Sequence, residues 1–198
     1  MEERTTMTLV TCDMSMSLDG YVTGPNDSRQ NPFGDGADML HDWLFKDPTD
    51  DDRAILREAM ANTGAVVMGR RSFDKNEGDG GWGDGGPLGP DFPVFVVTHD
   101  APTESHPDVY RFVTDGVKSA IEQAKAAADG RNVGLHGATV MQQGLPLGLV
   151  DEIYVHIVPV LIGGGTRLFE TLPAGIRLER ISAVATPEAT HLRYRVKR

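Results

Sequence analysis

The 198-residue sequence has one cysteine, Cys12. No internal disulfide can form, and the paired cysteines of zinc and redox sites are excluded. None of the six histidines has the spacing of a zinc ligand set. Basic residues are in deficit: 19 Lys and Arg stand against 29 Asp and Glu, a formal net charge of −10. That balance excludes nucleic acid as the main partner, because a phosphate backbone needs a basic face. No apolar run approaches the roughly 18 residues that read as a membrane span. Met1-Glu2-Glu3-Arg4 lacks the apolar stretch of a signal peptide, so a reducing cytoplasmic setting is expected. There is no Walker A sequence, no G-x-S-x-G elbow and no internal repeat. One dinucleotide-type fingerprint occurs, Gly78-x-Gly80-x-x-Gly83. It lies inside a glycine-rich loop, with neither the strand before it nor the helix after it that the motif needs, and is discounted.

What is present is a strand-and-helix alternation suited to one domain over residues 1–198. Asn132 to Glu170 organises it: a short apolar strand (Val133 to Leu135), a small-residue turn, a helix, then the almost continuously apolar strand Ile153 to Val160. Strand, helix, strand in about 30 residues is the βαβ unit, whose crossover makes the strands parallel. Leu9 to Met16, Ala65 to Met68, Val94 to Thr98 and Val109 to Val113 read as further strands. Ala37 to Phe45, Asp51 to Ala61 and Gly116 to Asp129 read as helices, the second with Thr49 or Asp50 as its cap. Asn76 to Pro93 holds seven glycines and three prolines and reads as a loop or lid. Leu178 to Val184 and Thr190 to Val196 form a closing hairpin with one solvated face. The expected fold is α/β, a doubly wound, mostly parallel central sheet between helical layers, with a C-terminal antiparallel hairpin.

In such sheets ligands sit outside the carboxyl ends of the strands. Gly69-Arg70-Arg71-Ser72 leaves one strand end, where backbone N–H groups and two guanidinium groups suit a phosphate. His136-Gly137-Ala138-Thr139 leaves a second, and Thr98-His99 ends a third. Asp13 lies mid-strand, where a carboxylate must be paired or face a polar pocket; it either enters the site or sits on an edge strand facing water. Trp43 and Trp82 could each stack on a flat ring, with the core as the alternative for Trp43.

Ser17-Leu18-Asp19-Gly20-Tyr21, Met68-Gly69-Arg70-Arg71-Ser72-Phe73, Gly137-Ala138 and the block Val158 to Phe169 (V-P-V-L-I-G-G-G-T-R-L-F) occur in that order. Together they resemble the dihydrofolate reductase superfamily. The resemblance is greatest to the reductase domain at the C-terminus of the bifunctional riboflavin-pathway deaminase–reductase and to its stand-alone relatives. The deaminase zinc signature is absent. The resemblance implies NADPH as hydride donor, a small-molecule substrate and a homodimer. It places Gly69, Arg70, Arg71 and Ser72 at the 2′-phosphate and pyrophosphate, and Thr98 and His99 beside the adenosine. Leu135, His136, Gly137, Ala138, Thr139 and Val140 would wrap the pyrophosphate and ribose, while Ser15 and Val22 would meet the nicotinamide amide. Tyr21, Trp43 and Thr166 fall on the substrate side, with Asp13, Asp38 or Asp42 as the candidate acid. Asp38 and Asp42 are four apart and would share one helix face. Pyrimidine reductases of the riboflavin pathway usually carry Lys or Arg where this chain has Tyr21. The expectation is therefore an NADPH-dependent reductase of a small C=N or C=O compound, pterin- or pyrimidine-like. 5-Amino-6-(5-phosphoribosylamino)uracil reductase and a non-catalytic nucleotide-binding protein are the alternatives.

Overall fold

The computed structural model describes residues 7–78, 81–83 and 85–197. Gly80 of the discounted fingerprint and residues 1–4 lie outside them. Strand β1 (Val10–Ser17) and the short β2 (Tyr21–Thr23) open the chain. A 3₁₀ turn (Asp38–His41) leads into α1 (Asp42–Phe45), followed by α2 (Asp50–Asn62), β3 (Thr63–Gly69) and α3 (Arg70–Asn76). Then come β4 (Val94–Val97), β5 (Tyr110–Val113), α4 (Val117–Ala127), β6 (Asn132–His136) and α5 (Ala138–Gly144). The chain finishes with β7 (Glu152–Val158), β8 (Thr166–Arg167), β9 (Arg177–Ala185) and β10 (Thr190–Lys197).

Eight strands form one sheet in the order β5-β4-β3-β6-β1-β7-β10-β9, and β2 pairs with β8 separately. The pairs from β5 through β7 are parallel, whereas β10 runs antiparallel to β7 and β9 antiparallel to β10. This is the expected mostly parallel α/β sheet with an antiparallel end. The two strands of the βαβ unit are not neighbours, however. β1 inserts between them, with Cys12 opposite both Leu135 and Ile153. Its central place explains the burial of Val10 and Cys12 at 0% exposure. The Cys12 thiol is pushed up by that burial, with the Asp13 charge adding, so it is inert at neutral pH.

Helix α4 buries Ala120, Ile121 and Ala124 against β3 and β4, as its i, i+3, i+4 pattern requires. Helix α2 starts on a capping box. The Thr49 hydroxyl accepts from the Asp52 amide, and the Asp52 carboxylate accepts from the Thr49 amide at 2.7 Å. Two expectations are corrected. Ala37 to Phe45 is not one helix, so Asp38 and Asp42 do not share a helical face. The hairpin's outward face is not solvated throughout, because His191 is 4% exposed beneath α2. The glycine-rich segment also has local order: the Trp82 amide donates to the Asn76 carbonyl, and Gly78 bridges to Gly83.

Candidate functional site

The carboxyl ends of the parallel strands open into a cleft of about 890 Å³. That volume suits a cofactor with a small substrate. β3 delivers Gly69, Arg70, Arg71 and Ser72 to it, and β4 delivers Thr98 and His99. β6 delivers His136, Gly137, Ala138, Thr139 and Val140. Val22 and Thr166 line it from the β2–β8 pair. These are the residues that the sequence places around one ligand, and they do share one cavity.

Four named residues lie elsewhere. Leu135 is buried in the core at 2% exposure. Ser15 turns to the opposite face of β1, where its hydroxyl accepts from the Trp43 indole N–H at 2.9 Å. Trp43 itself is 4% exposed and packs against the rings of His156 and His191, so it is a core residue rather than a stacking platform for a ligand. Tyr21 is covered by Arg167, whose guanidinium lies 4.3 Å from its ring centre and donates to its hydroxyl at 2.8 Å.

The three candidate acids are also outside the cleft lining. Strand alternation sends Met14 into the cleft and Asp13 to the other face. There Asp13 contacts His156 Nε2 at 2.7 Å beside a small cavity of about 100 Å³. It is thus on a central strand and paired, which removes the edge-strand alternative as well. Asp38 is exposed, and Asp42 accepts from Lys46 at 2.8 Å.

Sequence reasoning missed the third cation and its counter-ion. Lys75, one turn on from Arg71 in α3, also lines the cleft. Arg71 and Lys75 both grip the carboxylate of Asp27, which arrives on the loop after β2. Lys75 donates to Asp27 at 2.6 Å and to the Pro32 carbonyl at 3.1 Å. Burial pushes the Asp27 carboxyl up, but the hydrogen bonds from Arg71 and Lys75 outweigh it and hold the group below the usual range. Arg70 reaches Asp74 at 2.6 Å and stays half-exposed. The i, i+4 spacing of Arg71 and Lys75 on a helix was visible; the loop that brings Asp27 over it was not.

His136 lies where β6 turns into α5. Burial, with Lys75 and His41 adding, lowers its imidazole to about 4. It is therefore neutral at pH 7. Gly137 follows at φ +98°, and a Cβ there would stand 2.9 Å from the Ser72 hydroxyl. A side chain would close the gap between the β3 and β6 turns, so the backbone amides stay open to a phosphate. Residues with this chemistry fit a phosphorylated dinucleotide: three cations, a side-chain-free turn and a neutral ring.

The two glycine-bearing motifs at the other end hold each other. Asp19 accepts from the amides of Ile162 at 3.1 Å and Gly163 at 2.7 Å. The Ser17 hydroxyl's bond to it, followed by these amides, lowers the Asp19 carboxyl to about 2. Gly165, at φ +111°, would place a Cβ 2.0 Å from the Thr23 carbonyl, so only glycine lets β8 close on β2. Within the block Val158 to Phe169, Gly163 and Gly165 thus serve the fold.

Two buried side-chain atoms among the described residues make no hydrogen bond: Thr23 Oγ1 and His41 Nδ1. Each such group costs about 1–3 kcal/mol. Both residues line this cleft.

A mostly parallel sheet with helices around it and a cleft at the carboxyl ends of its strands defines an α/β protein of the open-sheet class. Residues 8–192 match the RibD C-terminal domain, and the chain belongs to that family. A Bacillus subtilis (strain 168) protein, the uncharacterized YyaP, is 24% identical over 182 residues, 86% of this chain and 85% of that one. Among solved structures, a putative riboflavin biosynthesis protein from Shewanella sp. PV-4 superposes with a TM-score of 0.70. It is 24% identical, over 96% of this chain and all of that one. Dihydrofolate reductase from Enterococcus faecalis, complexed with NADP(H), gives 0.57 at 16% identity, over 96% of this chain and 97% of that one. The fold is dihydrofolate reductase-like.

Proposed function

We propose that this chain is an NADPH-dependent reductase that passes a hydride to a small C=N or C=O acceptor. The observation that carries the reading is the meeting of three strand ends on one cleft. It brings Arg70, Arg71 and Lys75 into one cleft lining with the open turn at Gly137, which lies against Ser72. Arg70 is placed for the 2′-phosphate, with Arg71, Lys75 and Ser72 at the pyrophosphate. Two or three cations favour NADPH over NADH, since the extra phosphate adds close to two negative charges. Bound NADPH supplies the hydride from C4 of its dihydronicotinamide. The chain's part is to hold that carbon against the acceptor and exclude water, a proximity effect, with Met14, Val22 and Val140 as the apolar wall.

Titration checks this. Trp82 lines the cleft with its ring edge on His136, at 5.2 Å between ring centres. NADPH should therefore change tryptophan fluorescence at lower concentration than NADH, and Arg70→Ala should erase the difference. No fluorescence change and no thermal protection at millimolar NADPH would overturn the reading. Binding without oxidation against a panel of pterins, quinones and imines would instead leave a nucleotide-binding protein.

A second reading, 5-amino-6-(5-phosphoribosylamino)uracil reductase, is favoured by Arg167. Its guanidinium sits over Tyr21, the position where that pathway's reductases carry a basic residue. Turnover of that substrate, lost in Arg167→Ala, would select it. We further propose a homodimer in a reducing compartment. The edge strand β9 leaves Leu178 and Ile181 41% and 38% exposed, and the one cysteine is buried. Light scattering tests the pairing.

A further inference from the structure

Hydride delivery to a C=N or C=O carbon leaves the nitrogen or oxygen in need of a proton. Asp13, Asp38 and Asp42 lie outside the cleft lining, so that proton has another source. Most ionisable groups along the lining are engaged or distant. Asp27 is gripped by Arg71 and Lys75, and Arg70 is held by Asp74. His99 and Asp100 are exposed beyond the end of β4, with β3 between that strand and β6. His41 has its Nδ1 sealed and its ring 4.6 Å from that of Phe33.

His136 differs from all of these. It ends β6, paired with Met68 of β3, one residue before the open turn at Gly137. It is partly buried and lines the cleft, with the edge of Trp82 against its ring. Among the described residues neither of its nitrogens makes a hydrogen bond. Nor are they sealed, since the buried unmatched polar atoms there are Thr23 Oγ1 and His41 Nδ1. An imidazole fixed by a strand, open to a cleft and bonded to nothing is a group available to an occupant.

The occupant also decides its charge. Burial, then Lys75 of α3 and His41, lowers the ring, so without ligand it is neutral at pH 7. Arg71 and Lys75 are matched by Asp27, and Asp13 of β1 is bonded to His156. The other residues lining this end add no charge: β3 presents Gly69, α5 Ala138 and Thr139, and β1 Met14. A pyrophosphate at the Gly137 turn brings two negative charges to a ring with no carboxylate bonded to it. A unit charge about 6 Å from an imidazole changes its proton affinity about a hundredfold at an effective dielectric constant near 20.

We propose that His136 is the acid of the reduction: it takes up a proton as the dinucleotide's phosphates enter the cleft and passes it to the acceptor. This deepens the reductase reading and rests on it. The C4–H bond of the dihydronicotinamide breaks, and its electron pair forms the new C–H bond. The acceptor's π pair moves to nitrogen or oxygen and bonds the imidazolium proton. NADP⁺ and neutral His136 remain, and the next proton comes from solvent with the next NADPH.

The test compares wild type with His136→Gln, which stays polar and cannot titrate, by calorimetric titration of NADP⁺ from pH 8 to 5. The 2′-phosphate and Asp27 change charge alike in both proteins, so the ratio of the two affinities isolates His136. Wild type should gain about tenfold on the variant by pH 5. At pH 6 it should also take up part of a proton that the variant does not, read from binding enthalpies in two buffers of different ionisation heat. A constant ratio with equal proton uptake, the result for a ring that only shapes the turn, overturns the proposal. Loss of the gain in His41→Gln rather than in His136→Gln gives the proton to His41 and also overturns it. Isatin, a flat carbonyl probe, supplies the second readout. Its reduction by NADPH should slow in wild type as pH rises from 6 to 9, and in the variant be flat and about 100-fold slower at pH 6. Identical pH profiles overturn the acid role. Absence of NADP⁺ binding in wild type would sink the reductase reading instead. His136→Asn serves in the same comparison if the glutamine variant does not fold.

Discussion

His156 and His191 face each other through their Nδ1 atoms at 2.7 Å. His156 Nε2 meets Asp13 at 2.7 Å, and His191 Nε2 meets Asp52 at 2.8 Å. Each imidazole thus spans a carboxylate and the other ring. His191→Leu leaves Asp52 buried without this partner and should cost about 3–5 kcal/mol in denaturant unfolding. An unchanged unfolding midpoint would remove the bridge from the forces that hold α2 on the sheet.

Three buried histidines set an acid limit. Burial, then the neighbouring His156, lowers His191 despite Asp52. Burial also lowers His41 and takes His136 to about 4. An unfolded histidine takes its proton near pH 6.5, before these folded ones do. Stability from all three should thus be full above about pH 6.5 and fall as the pH drops toward 4. Unfolding midpoints from pH 8 to 4 measure it. A flat profile over that window contradicts the assignment.

Asp27 competes with any phosphate for Arg71 and Lys75. Its side chain is only 4% exposed, so the carboxylate is held close and is poorly screened. Asp27→Asn should tighten NADPH about three- to tenfold and steepen its salt dependence. Fluorescence titration at two salt concentrations decides. Weaker binding would make Asp27 a group that orients the two cations rather than one that rivals the cofactor.

Gly137→Ala forces a side chain into a backbone with φ +98° and to within 2.9 Å of Ser72 Oγ. It should cost about 1–3 kcal/mol of stability. NADPH affinity should fall with it, because the new methyl group narrows the gap between two turns. Retained affinity would move the pyrophosphate away from this turn.

Asp13→Asn should lower stability yet leave NADPH oxidation near the parent rate, since Asp13 lies on the face of β1 opposite the cleft. A loss of turnover at constant stability would return it to the list of acids.

The strand ends were legible because Gly69-Arg70-Arg71-Ser72 and His136-Gly137-Ala138 are local signals: a buried run, then a small or cationic turn. The direction of Asp13 was not. Alternation groups Asp13 with Thr11, Ser15 and Ser17, opposite Val10, Cys12, Met14 and Met16, but it does not say which of these two covered faces lines the cleft. His41 and Thr23 gave no signal, since a histidine next to an aspartate and a threonine after a valine are ordinary surface sequence. Asp27 was hidden for another reason. It lies 44 residues from Arg71 on a loop of Gly, Pro, Asn and Asp, and nothing in such composition says where a loop lands. The helix broken into a 3₁₀ turn and one α-helical turn follows from tertiary packing of Leu40 and Trp43, which periodicity alone does not report.

β1 has a kinetic meaning as well as a spatial one. Its amide at Val10 is met by Asp151, 141 residues later, and its outer neighbour ends at Val158. During synthesis the first strand must wait unmatched until β6 is made, about two-thirds of the way along the chain, and it gains its second neighbour only after about four-fifths. Slow maturation and a need for chaperones would then be inherited from sheet order, and a circular permutant that starts near Pro146 should mature faster.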